Sequence, residues 1–218
     1  MLEDTVIPRT KQSVVDDVYD LLDIFNKITT NLNIPYVIAF GTALGAQRHG
    51  GIVPWDDDCD VAILDEDVNQ LVEIKSVFEE EHQCTLDVSW CGGLQLFKNS
   101  SPKRIADGKG FPLLDIFVFT KNKTDLTLKC DHCQQLYMNK RVFSLKAWTN
   151  TSHDHVFGDL RLRGPTDMKC YLDNTYGDNW NDIAYQDFDH NAQKPRERVV
   201  CRVVTRDCLK RTKKTKRQ

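Results

Sequence analysis

Apolar positions recur with a helical period near the N-terminus. In the segment opening at Ser13, the residues Val14, Val15, Val18, Leu21, Leu22, Ile24, Phe25 and Ile28 form one stripe. That predicts an amphipathic helix, with Ser13 and Asp16 resembling a capping box that carries a shorter acid. YVIAF (36–40) follows Pro35 and reads as a buried strand. Gly41-Thr42 turns the chain, ALGAQRH suits a short helix, and Gly50-Gly51 breaks it. CDVAIL (59–64) is a further strand, and residues 67–82, with Val68, Leu71, Ile74, Val77 and Phe78, an amphipathic helix.

TLDVSW and LQLFK flank Cys91-Gly92-Gly93, a hairpin pattern. PLLDIFVFT (112–120) is a strongly apolar strand. A polar hairpin is expected around 121–143, and DMKCYLDNTYG (167–177) reads as a helix ending near Gly177. The stretch 150–167 is rich in His, Asp and Gly, and the last forty residues are polar and poorly periodic. The order indicates an α+β (mixed α/β) domain, a sheet flanked by helices with an irregular C-terminal region. No internal repeat is visible.

With 218 residues and 40% hydrophobic content, the chain can bury a sizeable core in one domain. The net charge of −3 hides an asymmetry: from Arg202 to Gln218 there are eight Lys/Arg against one acid, Asp207. The expected division is a single domain over 1–195 and a basic, flexible tail over 196–218, either merely solvated or in contact with an anionic surface. There is no apolar run of 18 residues and no signal-peptide pattern at Met1. A soluble, cytoplasmic protein is expected, a secretory lumen requiring an anchor or signal missing from this chain. The eight cysteines are scattered, and mostly free thiols are expected. Three sequons, at Asn99, Asn122 and Asn150, matter only in a secretory lumen.

Candidate chemistry concentrates at Asp56, Asp57, Asp58 and Asp60. Neighbouring carboxylates repel and are tolerated where a cation neutralises them. Asp58 and Asp60 sit two apart at a strand start, so both face one way, and Asp56 joins them if the extended geometry begins earlier. Such a pair can hold Mg²⁺ or Mn²⁺ that also grips a phosphate; the alternative is an acidic turn or a helix N-cap cluster. An EF-hand does not fit, because the sixth and twelfth residues from Asp56 are Val61 and Asp67. Asp115 is the lone charge in LLDIFVF, costly unless paired or metal-bound, and a third carboxylate if its strand lies beside the first. Gly41 and Thr42 sit where backbone N–H groups face an anion, and Arg48 and His49 could neutralise phosphate charge. Cys130, His132 and Cys133 form half of a zinc pattern, which Cys170, His153 and His155 could complete in space.

The combination of a Gly-Thr pair, a helix, an Asp-x-Asp strand and a lone Asp on a later strand resembles the nucleotidyltransferase superfamily. More specifically, GTALGAQRHGGIVPWDDDCDVAI resembles the signature of the LicD family of phosphocholine transferases and fukutin-related ribitol-phosphate transferases. LLDIFVF resembles that family's later Asp strand, and YLDNTYGDNW (171–180) its Tyr-Gly-x-x-Trp segment. The resemblance spans residues 15–190. It implies a nucleotidyltransferase-like mixed sheet and metal-dependent transfer of a substituted phosphate from a CDP-linked alcohol donor to a glycan hydroxyl. Asp56, Asp58, Asp60 and Asp115 would be metal ligands, with Asp58, Asp60 and Asp115 catalytic. Gly41, Thr42 and Arg48 would hold donor phosphates. The prolines that the family often carries directly after the Trp180 position, and a fukutin-related zinc insert, are absent. Nucleic acid is not the expected partner. The alternatives are a nucleotidyltransferase adding NMP to a small molecule or nucleic acid, and a non-catalytic module with the same fold.

Overall fold

The computed structural model describes residues 7–130, 143–149, 151–202 and 207–212. The first helix, α1 (Gln12–Asn31), buries Val15, Val18, Leu21, Leu22, Phe25 and Ile28, the predicted stripe. It starts without a side-chain cap, from Lys11, and Ser13 lies within the first turn. Asp16 accepts from Gln12 Nε2 and from Thr212 instead of closing a capping box.

The strand expected over 36–40 shortens to β1 (Val37–Ile38), and its last residue begins α2 (Phe40–His49). Gly41-Thr42 therefore lies inside the first turn of a helix. Gly50, with φ 68°, ends α2 in the left-handed conformation that glycine adopts without a Cβ penalty. β2 (Cys59–Leu64) is buried along its whole length. The helix expected over 67–82 forms as two pieces, α3 (Val68–Glu73) and α4 (Lys75–His82), anchored in the core by Leu71 and Phe78. β3 (Cys84–Asp87) and β4 (Gly93–Lys98) make the predicted hairpin, and β5 (Leu114–Lys121) is the predicted apolar strand.

The sheet runs β1–β2–β5–β4–β3, with β2 and β5 parallel and the other pairs antiparallel. β6 (Asp125–Leu128) extends it from the far end of β5, and β7 (Phe143–Ser144) pairs with β6. This is the mixed sheet of an α+β domain. α5 (Leu145–Thr149) leads into a hairpin of β8 (Thr151–Phe157) and β9 (Leu160–Pro165), and α6 (Met168–Tyr176) follows. Aromatic contacts lock these layers: Tyr19 on α1 meets Phe157 at 5.2 Å between ring centroids, and Phe25 meets Tyr36 at 5.3 Å.

The C-terminal region, expected to be irregular, is regular over residues 183–202. It forms a hairpin of β10 (Ile183–Asp189) and β11 (Lys194–Arg202). Among the described residues, its buried apolar side chains, Ala184 and Cys201, pack with Ile7, Trp55 and Val199. So small a core leaves no period-2 pattern, and backbone pairing carries the ladder.

Residues 196–202, expected in the flexible tail, belong to β11. Residues 207–212 return to α1: Tyr19 Oη donates to the Leu209 carbonyl at 2.8 Å, and Arg211 pairs with Asp159 at 2.8 Å and reaches Asp20 and Asp23. Residues 213–218 lie outside the described set, as do Asp131, His132 and Cys133 of the zinc pattern and the sequon at Asn150. Cys59, Cys84, Cys170, Cys201 and Cys208 are free thiols. Among the described residues, no helix is long and apolar enough to cross a membrane.

Candidate active site

Strand register builds the site. Asp60 on β2 stands opposite Asp115 on β5, and Asp115 stands opposite Gln95 on β4. Side chains at one register position share a face, so two carboxylates and an amide form a row across three strands. Asp58, two residues before Asp60, adds a third carboxylate. Oxygens of Asp58, Asp60 and Asp115 all lie within 4.8 Å of one another. A second set, Asp56, Asp57, Asp58 and His190, is equally tight and shares Asp58 with the first.

The α2 N-terminus shapes this floor. The Gly41 N–H donates to Asp60 Oδ2 at 2.9 Å, and Thr42 Oγ1 accepts from the Asp60 N–H at 2.7 Å. A Cβ on residue 41 would lie 2.7 Å from Asp56 Oδ2 and 3.2 Å from Asp60 Oδ2, so a side chain there would push against the carboxylates that close over it. Phe40, just before, has φ +37°, a left-handed conformation that costs a non-glycine residue about 1–2 kcal/mol. Its N–H donates to Tyr171 Oη at 2.9 Å, which holds the strained turn.

Arg48 lies at the other end of α2. It is buried, donating from Nη1 to the carbonyls of Trp180 at 2.7 Å and Ile183 at 3.3 Å. Its Nε donates to His49 Nε2, and Trp180 Nε1 donates to Asp173 Oδ1 at 2.8 Å. The YLDNTYGDNW segment thus ties α6 to both ends of α2, through Tyr171 and Trp180.

Burial dominates the electrostatics. It pushes the carboxyls of Asp56, Asp58 and Asp60 well above the ordinary carboxylate range, and their mutual repulsion adds to that. Burial also raises Asp115, against the hydrogen bond from Gln95 Nε2 to its Oδ1 at 2.7 Å. His190 faces the cluster with both ring nitrogens, Nδ1 at 2.6 Å from Asp57 and Nε2 at 3.4 Å from Asp58. Burial would lower this imidazole, but Asp58 and Asp57 outweigh it and hold His190 well above its usual value.

The donor set fits a hard divalent cation. Oxygen ligands at close quarters are what Mg²⁺ and Mn²⁺ take, and a buried carboxylate group needs a neutralising charge. Asp56, Asp58, Asp60 and Asp115 are the residues that could hold it.

His190, Gln95 and Tyr171 did not stand out in the sequence. Gln95 was open to the argument made for Asp115, a lone polar residue in an apolar strand. His190 carried no comparable mark, because its place depends on the β10–β11 tip folding back over residues 56–58.

A sequence model of the nucleotidyltransferase domain shared by LicD, FKTN and FKRP proteins matches residues 33–167. The chain belongs to the LicD family. The match covers α2, the Asp cluster and Asp115, and ends before His190. Among relatives of this LicD-family chain, uncharacterised proteins of Rickettsia prowazekii and Rickettsia typhi are each 29% identical over 182 and 168 residues. These alignments cover 81% and 76% of this chain but 60% and 47% of the relatives, so the chain spans about half the length of either. The lipopolysaccharide cholinephosphotransferase LicD of Haemophilus influenzae is 36% identical over 64 residues, 29% of this chain and 23% of that protein. Crystal and solution structures of the antibiotic-resistance factor ANT(2″)-Ia are similar with TM-scores of 0.39 and 0.41 at 15% and 14% identity. They cover 72% and 79% of this chain, and 79% and 82% of those. The chain is a LicD-family domain with an acidic site.

Proposed function

We propose that this LicD-family chain is a metal-dependent phosphotransferase. It moves a phospho-alcohol, such as phosphocholine or ribitol phosphate, from a CDP-linked donor to a glycan hydroxyl. The observation that carries the reading is the row of a buried Asp60 and a half-buried Asp115, with Asp58 within 4.8 Å of both, on adjacent parallel strands of a LicD-family domain.

In this reading Asp58, Asp60 and Asp115 hold Mg²⁺ or Mn²⁺, with Asp56 beside them. Bound there, the cation supplies charge neutralisation for the transferred phosphate. The chain's own residues do the rest. Gly41 fixes the Asp60 carboxylate, Thr42 holds the Asp60 backbone N–H, and together they set the α2 N-terminus toward the donor phosphates. Gln95 orients the Asp115 carboxylate, held there for the cation or for the acceptor hydroxyl's proton. Arg48 acts at a distance, by holding α2 against Trp180.

The test is thermal stability in Mn²⁺ with CDP-choline, CDP-ribitol, CDP-glycerol, CTP, ATP or UTP, followed by mass analysis of the acceptor product. Ligands that bind only the folded state raise its melting temperature. One CDP-alcohol should stabilise the protein in a metal-dependent way and donate its phospho-alcohol. Stabilisation by nucleoside triphosphates alone, with NMP on the product, would establish nucleotidyl transfer instead. No response to any of them would favour a non-catalytic module.

A further inference from the structure

The carboxylates of the site repel a phosphate as readily as they attract a cation, so the donor's anionic groups need a separate partner. The loop between β4 and β5 offers one. Arg104 on this loop is 3% exposed. Its Nε and Nη2 donate to the two carboxylate oxygens of Asp107, at 2.9 and 2.5 Å. Its Nη1 is buried with no hydrogen-bond partner among the described residues, and Ser101 Oγ, three residues earlier, is in the same condition. A cationic N–H stripped of water and given nothing in return is costly, and such a group in a folded protein calls for a ligand or a functional account.

The loop's position supplies that account. It closes on itself through the Arg104 N–H to the Lys109 carbonyl at 2.6 Å and the Gly108 N–H to the Arg104 carbonyl at 2.9 Å. On one flank Lys109 Nζ donates to Gln95 Oε1 at 3.0 Å, and Gln95 holds Asp115. On the other flank the Ile105 and Ala106 N–H groups donate to Asn191, at 3.1 and 3.3 Å. Asn191 follows His190, which lies on Asp57 and Asp58. The loop therefore bridges the two ends of the carboxylate cluster, and the positive charges of Arg104 and Lys109 act on Asp115 itself.

We propose that Arg104 binds the diphosphate oxygens of the nucleotide donor, with Asp107 fixing the orientation of its guanidinium. The proposal rests on the phosphotransferase reading above. Asp107 occupies the Nε–Nη2 edge of the planar group and leaves the Nη1 edge for a phosphate oxygen. A lysine would bring the charge without a fork that can be held on one edge and bind on the other.

Calorimetric titration of Mn²⁺ alone, and of CDP or inorganic pyrophosphate in excess Mn²⁺, tests it on the wild type, Arg104→Gln and Asp107→Ala. Arg104→Gln should weaken CDP and pyrophosphate by about tenfold or more, the range of a charge-assisted hydrogen bond. Mn²⁺ affinity should hold or rise, because a positive charge that acts on Asp115 is removed, whereas general damage to the site would lower it. Asp107→Ala should weaken CDP by a smaller factor. CDP affinity in Arg104→Gln equal to wild type overturns the proposal and leaves the phosphotransferase reading standing. A wild type that binds Mn²⁺ but neither CDP nor pyrophosphate overturns both. If Arg104→Gln does not fold, Asp107→Ala decides, because that side chain is 34% exposed and its removal leaves the Arg104 charge in place; unchanged CDP affinity there overturns the proposal.

Discussion

At the scale of single residues, Asp60 carries the most conflict. It is 8% exposed, faces Asp115 and Asp56, and has the Gly41 N–H as a local donor. An asparagine keeps an oxygen for that N–H and removes the charge. Asp60→Asn should therefore raise the melting temperature of the metal-free protein at about pH 8, by roughly 2–4 °C for each kcal/mol of repulsion relieved. The same change should lower metal-dependent transfer by about 100-fold or more, since a cation ligand contributes several kcal/mol to charge stabilisation. Calorimetry and a transfer assay on one preparation check both arms. Wild-type transfer by Asp60→Asn would remove Asp60 from the metal site. The acids were legible in the sequence because chemistry marks them locally: four Asp in five positions, and one Asp in an apolar strand. His190 was not, since a histidine in a polar stretch gains its meaning from what another element brings to it.

At the scale of elements, the sequence showed which segments are apolar but not how close their backbones come. The stripe of α1 and the cores of β2 and β5 follow directly from periodicity. The early start of α2 does not, because the turn at Phe40 is stabilised from outside by Tyr171, 131 residues away. Nor does the β10–β11 hairpin, whose pairing is backbone to backbone beside a small apolar cluster that includes Ala184 and Cys201. Gly45 shows the same limit. In sequence it is a weak point in a helix, worth replacing with alanine. In the fold, a Cβ there would stand 2.4 Å from the Gly51 carbonyl oxygen and 3.4 Å from the Phe157 ring. Gly45→Ala should consequently destabilise, by about 1–3 kcal/mol, the range of overpacking against backbone that cannot move aside. Denaturant titration measures it. A gain in stability would show that helix propensity outweighs the contact, and that α2 is free to shift away from β8.

At the scale of the whole molecule, the site opposes the fold that carries it, and pH sets how strongly. Asp56, Asp58, Asp60 and Asp115 all have carboxyl groups raised above the ordinary range, chiefly by burial. A raised group contributes stability that is fully present below its unfolded value, about 4 for a carboxyl, and is lost as pH climbs through the folded value. His190 is raised too, so its contribution is complete below about 6.5 and is lost above that, as pH passes its own folded value. Both kinds of group act in the same direction: the metal-free protein should lose stability from mildly acidic to mildly alkaline pH. A divalent cation binds the deprotonated carboxylates and competes with protons for them, so its stabilisation should grow over the same interval. Melting curves with and without Mn²⁺, from about pH 5.5 to about pH 8, separate the two effects. The curve without metal should fall with pH, and the Mn²⁺ increment should widen. An increment that is constant or shrinks with pH would mean that the cation binds elsewhere than these carboxylates, and a metal-free stability that rises with pH would mean that they are better solvated than their burial implies.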